Sequence, residues 1–359
     1  MKRNETTPGN GKPVTLKILA EYLDLSPATV SIVLNNSSII STIPQPTRQR
    51  VLAAAKKFEY RPNLHARSLR TKQTNTVGVI VPELSEGYFT GVMMGVEQHL
   101  LQEGFLYFTV SHLGRRDLME EYPKLLMNRA VDGFLLVNTE LPEPVSVPVV
   151  GISSHSKMPG VTNVELDHNR GARMALRHLY DLGHRRIAFM RGQRFSLDSE
   201  ARWSSILNIA HEIGITVRPE LCIFLEKNFW SPELGYTPVR ELLARTRDFT
   251  AIFCFNDTAA IGAIRAIQDV GLECPRDISV IGFDDIVSAA YHNPRLTTIR
   301  QPLNQMGWTS AQLLLTRIQT PANPYPEVIT FEPELVVRES TAGVRENAEQ
   351  VQSRRKQKK

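Results

Sequence analysis

The sequence predicts an α/β protein, with a small all-α head followed by a body of two subdomains built on parallel sheets. Three observations carry that prediction. From Thr76 onward, TVGVIVP, FLYFTVS, DGFLLVN, VPVVGIS, RRIAFMRG, AIFCFND and ISVIGFDD are continuous apolar runs, as expected of strands buried on both faces. Helical stretches at 89–102, 170–182, 258–270 and 304–317 separate them, so neighbouring strands run parallel through helical crossovers. This repetition is more than one sheet of ordinary size holds. Third, the first 60 residues contain no such strand and show helical periodicity instead.

In the head, Leu16, Leu19, Ala20 and Leu23 recur at helical spacing and give a first helix one apolar face. Asp24 falls where the chain must turn, and Asp tolerates the left-handed conformation better than most residues. Ser26 caps a second helix with Pro27 at its first position, where a missing N–H costs nothing. Val30, Val33 and Leu34 form its buried side, and Thr29, Ser31 and Asn35 its short polar side. A helix this short is unstable alone, and a small polar face suits the DNA major groove, so the pair reads as a helix-turn-helix. A third helix over 47–58, with Val51, Leu52, Ala55 and Phe58 on one face, completes a three-helix core.

Residues 60–70, YRPNLHARSLR, form the next element. Pro62 breaks the chain and Asn63 can cap a helix of barely two turns with Leu69 exposed between Arg67 and Arg70. An exposed Leu among cations suits minor-groove entry, wedged between base steps.

Charge follows the same division. The chain carries +5 overall, but residues 1–72 hold twelve Lys/Arg against four Asp/Glu and residues 345–359 six against two, leaving −7 between them. A basic head on an acidic body fits a partner that is a polyanion. The tail RRKQKK reads as a solvated, disordered end. No apolar run is long enough to span a membrane, and MKRNETTPGNGKP lacks the apolar core of a secretory signal. Cys222, Cys254 and Cys274 form no CxxC pair and stand near no His at ligand spacing, so a reduced cytoplasm is expected and a zinc site is not.

In open α/β folds ligands bind beyond the carboxyl ends of the strands. That rule directs attention to Glu83 and Ser85, Asn138, Ser153 and Ser154, Asn256 and Asp257, and Asp284 and Asp285. Enzyme readings find little here. No GxGxxG follows a strand, and neither GxxxxGK[ST] nor GxSxG occurs. His211-Glu212 fails as HExxH because position 215 is Ile. Adjacent Asp284 and Asp285 rarely converge on one substrate atom, and one of such a pair more often braces a loop. The chain is therefore expected to be neither an enzyme nor dependent on a cofactor.

Five segments in order, VTLKILAEYLDLSPATVSIVLN, YRPNLHARSLRTKQTNTVGVIVP, LGHRRIAF, FNDTAAIGAIRAIQDVGL and DISVIGFDDIVSAAYHNPRLTTIRQPLNQMG, resemble the LacI/GalR family of transcriptional repressors over residues 14–340. The resemblance implies a helix-turn-helix head, a hinge helix and a two-subdomain, periplasmic-binding-protein-like sensor. It also implies a cytoplasmic homodimer on a near-palindromic operator, regulated by a small effector, expected to be a carbohydrate, in the cleft between subdomains. The expected boundaries are an arm at 1–13, the head at 14–61, the hinge and linker at 62–75, the sensor at 76–340 and the tail at 341–359. Within the sensor, one subdomain takes about 76–166 and 300–328, the other about 167–299 and 329–340.

By position, the resemblance implies phosphate contacts from Thr15, Leu16, Ser26, Thr29, Ser31 and Asn35, base reading by Pro27, Ala28 and Ile32, and minor-groove contacts from Asn63, Ala66 and Leu69. It implies effector contacts from Arg202, Asn256 and Asp284, with Ser153 facing the cleft and Phe89 and Leu303 as apolar walls. Four departures stand out. Ile32 replaces an Arg common in relatives, and about three extra residues follow Asn35. Glu86-Gly87-Tyr88 and Ser153-Ser154 stand where Asn-Pro-Phe and Asp-Arg are common. The alternative reading is a solute-binding protein of a transport system, against which the basic head and the missing export signal argue.

Overall fold

The computed structural model describes residues 14–35, 39–60, 73–84, 87–194, 196–225 and 231–344. They form two units, one ending at Thr74 and the other beginning at Asn75.

In the first unit, α1 (Leu16–Leu23), α2 (Pro27–Leu34) and α3 (Gln45–Lys57) enclose a core of Leu19, Ala20, Leu23, Val30, Val33, Val51 and Ala54. The backbone of Asp24 is left-handed (φ 55°, ψ 47°) and ends α1, and Arg50 donates to the Leu23 carbonyl there at 2.9 Å. Ser26 Oγ accepts from Thr29 N at 3.1 Å and caps α2. The third helix starts two residues before the sequence expectation because Pro46 fits its first turn, where no N–H is needed.

The second unit holds two six-stranded sheets among the described residues. The first sheet runs β11-β5-β4-β3-β1-β2 and is parallel throughout: β1 (Thr76–Val81), β2 (Leu106–Ser111), β3 (Gly133–Val137), β4 (Val149–Ile152), β5 (Thr162–Leu166) and β11 (Val328–Phe331). The second runs β12-β10-β9-β8-β6-β7: β6 (Ile187–Arg191), β7 (Cys222–Phe224), β8 (Ala251–Phe253), β9 (Ser279–Asp284), β10 (Thr297–Arg300) and β12 (Glu334–Val336), with β12 antiparallel to β10. The chain passes between the sheets after β5, after β10 and after β11. The third passage corrects the expected boundary at 328/329. Residues 328–331 pair with β5 and belong to the first subdomain, so the crossing falls after Phe331.

Helices α4 (Tyr88–Gln102) and α11 (Leu303–Gln319) cover one face of the first sheet, and α5 (Arg116–Asn128) follows β2. On the second sheet, α6 (His168–Asp181) and α7 (Leu197–Glu212) share one core, while α8 (Glu233–Arg245) and α9 (Asp257–Asp269) share another. A short α10 (Val287–Tyr291) follows β9. Glycines set the closest crossings. A Cβ on Gly95 would strike the Asn304 carbonyl, and one on Gly307 the Val92 carbonyl, so α4 and α11 meet backbone to backbone. Polar residues at the strand ends of the two subdomains face one another, as Asn138 does Ser196 and His155 does Asp198.

Candidate functional site

The head offers Thr15 at the start of α1 and Ser26, Pro27 and Ala28 at the start of α2 as exposed residues, with Leu16, Thr29, Ser31 and Ile32 half-buried and Asn35 exposed at the end of α2. The polar groups are locally ordered: Ser26 and Thr29 hydroxyls lie 2.9 Å apart, and Asn35 Nδ2 donates to Ser31 O at 2.8 Å and Oγ at 3.1 Å. Helix starts with free N–H groups and small hydroxyls are suited to phosphate oxygens. Asn63, Ala66 and Leu69 lie outside the described residues.

Within the second unit, a small polar cavity at the strand ends is lined by Tyr88, Asn138, Ser196, Asp198, Arg202, Phe255, Asn256 and Asp284, leaving about 20 Å³. A wider cavity of about 420 Å³ shares Asp284 with it and is lined also by Gly87, Thr90, Met94, Ile286 and Leu303. Together they offer polar anchors beside a space of the size that small ligands occupy.

Bonds between the subdomains frame the smaller cavity. Asn138, after β3, donates to Ser196 Oγ at 3.1 Å and accepts from Leu197 N at 2.8 Å. His155, after β4, meets Asp198 on α7 with Nε2 to Oδ1 at 2.7 Å. The backbone turns sharply at both strand ends, with positive φ at Asn138 (44°), Ser153 (50°) and His155 (48°). Such strain persists where the surroundings over-determine it, as in ligand sites.

Arg202 is the cavity's central cation and is 3% exposed. Its guanidinium carbon lies 3.7 Å from the Phe283 ring centre and 4.6 Å from that of Phe255. Nη1 donates to the Phe255 carbonyl at 2.5 Å, and Nη2 lies 3.8 Å from Asp198 Oδ2. Its Nε is buried without a hydrogen-bond partner among the described residues, as is Oε1 of Gln301 in the wall of the wider cavity. Buried donors and acceptors left open in this way call for a polar guest.

The carboxylates divide their tasks. Burial raises the Asp284 carboxyl to about 7, opposed by Arg202 and by Gln301 Nε2, which donates to it at 2.7 Å. Burial alone would raise Asp198 too, but the imidazoles of His168 and His155 and the charge of Arg202 outweigh it and hold that group well below the usual carboxylate range. Asp285 pairs with Arg300 at 2.7 Å and Arg338 at 2.6 Å and so braces the loop. Asp257 also braces it, accepting from Thr298 Oγ1 at 2.6 Å and Ile286 N at 2.9 Å.

Of the sequence-derived effector residues, Arg202, Asn256 and Asp284 come together in the cavity wall. Asn256 spends Oδ1 on capping α9 through Ala259 N at 2.8 Å, which leaves its amide N–H groups for the cavity. Ser153 accepts from the Tyr88 hydroxyl at 2.8 Å. The two departures from the family pattern therefore meet: a hydroxyl on the ring at 88 finds the small hydroxyl at 153. Phe89 is 1% exposed in the core of the first subdomain, behind Tyr88, and Leu303 joins that core while lining the wider cavity. Sequence reasoning did not mark Ser196, Asp198 or Phe255 as cavity residues, and Tyr88 stood out only as a departure from the family pattern. Ser196 and Asp198 follow β6 at the start of α7, and the strand-end rule that singled out Asn138 would have reached them.

Residues 15–63 match the family described as bacterial regulatory proteins, lacI family, and residues 176–341 match the periplasmic binding protein-like domain. The chain is 32% identical over 335 residues to the HTH-type transcriptional repressor PurR of Actinobacillus pleuropneumoniae serotype 3, covering 91% of this chain and 98% of that one. The structure resembles the lac repressor dimer bound to operator and the anti-inducer ONPF, with a TM-score of 0.76 and 27% identity, over 92% of this chain and all (100%) of the other. It is also similar to a complex of the transcriptional regulator CelR with cellobiose, with a TM-score of 0.68 and 28% identity, over 91% and 99% of the two chains.

Proposed function

The chain belongs to the LacI family of bacterial regulatory proteins, and from that premise we propose that a small polar effector in the sensor cleft sets how tightly a pair of its heads holds a near-palindromic operator. The chain is a DNA-binding transcription regulator with the sequence-reading head and ligand-binding body of its repressor relatives. One observation carries the effector reading: Arg202, fully enclosed at the cleft, keeps Nε unpaired beside Asn256 and Asp284 among the described residues. Donors and acceptors placed in pairs suit a polyol, because a site built to bond hydroxyls rejects analogues that lack them. The effector is therefore a carbohydrate or sugar derivative, in keeping with the cellobiose complex of CelR. A flat nucleobase is the second reading, favoured by the Tyr88 and Phe255 rings in the same wall. Calorimetry of the full chain against monosaccharides, disaccharides, nucleobases and nucleosides separates the two.

Two short elements then transmit the effect. The hinge at 62–75 carries the effect to DNA when two copies meet on it, and part of the binding energy is spent there. Asn63, Ala66 and Leu69 are assigned to the minor groove there. The effector favours one arrangement of the subdomains, and the coupling is reciprocal and on the order of 1–3 kcal/mol.

In the major groove, Pro27, Ala28 and Ile32 take the base-reading positions, while Thr15, Leu16, Ser26, Thr29, Ser31 and Asn35 hold phosphates. Ile32 offers only apolar contact, such as a thymine methyl, where an Arg would bond guanine. Selection from random duplexes should therefore yield half-sites with no guanine requirement opposite Ile32, and Ile32→Arg should introduce one. An unchanged preference in Ile32→Arg removes Ile32 from the base readers.

A further inference from the structure

The Asp198 carboxylate is held more closely than an effector anchor needs. Its Oδ1 lies 2.7 Å from His155 Nε2 and 3.1 Å from His168 Nε2, while Oδ2 faces Arg202 at 3.8 Å. His168 and Asp198 are buried, 6% and 3% exposed. The other nitrogen of His155, Nδ1, lies 3.1 Å from Glu165 Oε1. The other nitrogen of His168, Nδ1, is buried with no hydrogen-bond partner among the described residues, so the ring is held through Nε2.

From this convergence we infer a divalent-metal site, of zinc type, formed by His155, His168 and Asp198. The ligand atoms of the three residues lie within 4.8 Å of one another. A tetrahedral zinc site brings its nitrogen and oxygen ligands to about 3.4 Å apart, so small rotations of these side chains suffice. Two imidazoles and one carboxylate suit zinc and its neighbours rather than calcium or magnesium, which take oxygen ligands. Glu165 is placed as the outer carboxylate that commonly accepts the second ring proton of a metal-bound histidine, fixing the tautomer and the ring plane. Three protein ligands leave one position open, and Asp198 also lines the effector cavity, so the ion adjoins that cavity.

The ligands come from separate parts of the sensor. His155 follows β4 of the first subdomain, Asp198 is on α7 of the second, and His168 begins α6 just after the first crossing. An ion held by all three binds the closed arrangement better than an open one and acts as a latch. That consequence for operator affinity rests on the regulator reading, but the site itself does not. Uptake displaces the proton that His155 shares with its carboxylates, so binding strengthens with pH. The sequence offered no motif for such a site, because the ligands are not clustered along the chain: His168 and Asp198 stand 30 residues apart and His155 and Asp198 stand 43 apart. The expectation of no metal rested on cysteine spacing, which this site does not use.

The test uses the full chain stripped with a chelator and titrated with Co2+, then with Zn2+. The expected result is one Co2+ per chain with the visible absorption of a four-coordinate ion, displaced by Zn2+. His155→Gln and His168→Gln should each weaken uptake at least about tenfold. Zn2+ should raise the melting temperature of the wild type and leave both variants unmoved. His155→Gln, in a partly exposed loop, carries the test if His168→Gln fails to fold. Absence of saturable Co2+ uptake, or uptake unaltered in His155→Gln, overturns the site and leaves the imidazoles as braces of Asp198.

Discussion

Arg202→Ala is expected to cut effector affinity by about a hundredfold or more and to lower the unfolding free energy by about 3 kcal/mol. The guanidinium is enclosed between Phe255 and Phe283, bonds the Phe255 carbonyl and faces Asp198, so its removal empties a packed slot. Asp198 keeps its two histidines, which limits the damage to the fold. The donor meant for the effector has no substitute, because Asn256 and Asp284 approach from other elements. Arg202→Lys should restore part of the stability but little of the binding, since an ammonium cannot present the guanidinium's fork. Calorimetry with the effector and urea unfolding give the two numbers. Unchanged effector affinity in Arg202→Ala would remove this residue from the site.

The second large effect is on pH dependence, through Asp284. Its carboxyl is raised to about 7 in the folded chain against an ordinary value of 3.8. The native state therefore keeps a proton that the unfolded chain releases, and stability falls as pH rises from about 4 through 7 and then levels off. For this shift the loss across the window is about 4 kcal/mol as an upper figure. Asp284→Asn keeps an acceptor for Gln301, tolerates the positive φ of 113° at this position and has nothing to ionise. Its stability relative to wild type should rise between pH 5 and pH 8 by about 2–3 kcal/mol. Effector binding moves the other way: an effector hydroxyl needs the ionised carboxylate as acceptor, so wild-type affinity should fall about tenfold per unit below pH 7. Parallel stability profiles for the two proteins would show that Asp284 does not titrate in this range.

Much of this architecture could be read from residues alone. The left-handed Asp24, the Ser26 cap and the apolar faces of the first two helices are local chemistry, and they appear in the structure as the sequence implies. On the third helix the expected face is rotated: Leu52 is exposed and Ala54 joins Val51 in the core, because that face is set by contact with the other two helices. The inner parallel strands were visible because a strand covered on both faces is apolar throughout. β2, also expected to be buried on both faces, is an edge strand with Leu106 and Phe108 exposed, so its apolar run overstated its burial. β5 (TNVEL), β10 (TTIR) and β12 (ELV) carry polar or charged residues and so lack that signature, and β7 (CIF) is a short edge strand. The helices with internal prolines, α5 at Pro123 and α8 at Pro238, were equally hard to see. In the cleft, polar residues at the ends of apolar strand runs were legible: Asn138, Asn256 and Asp284. Pairings between the loops at the strand ends were not. Nothing local announces that His155 meets Asp198 or that Tyr88 meets Ser153, since both contacts depend on how the loops at the strand ends turn.

The account depends most on the link between cleft and operator. The direct measurement is the fluorescence anisotropy of the full chain on its selected duplex and on a scrambled one, with and without the compound that calorimetry identifies. The expected result is tighter binding to the selected duplex by about a thousandfold or more, changed about five- to 150-fold by the compound, with the scrambled duplex unaffected. Equal affinity for both duplexes, indifferent to every compound that binds the cleft, would contradict it.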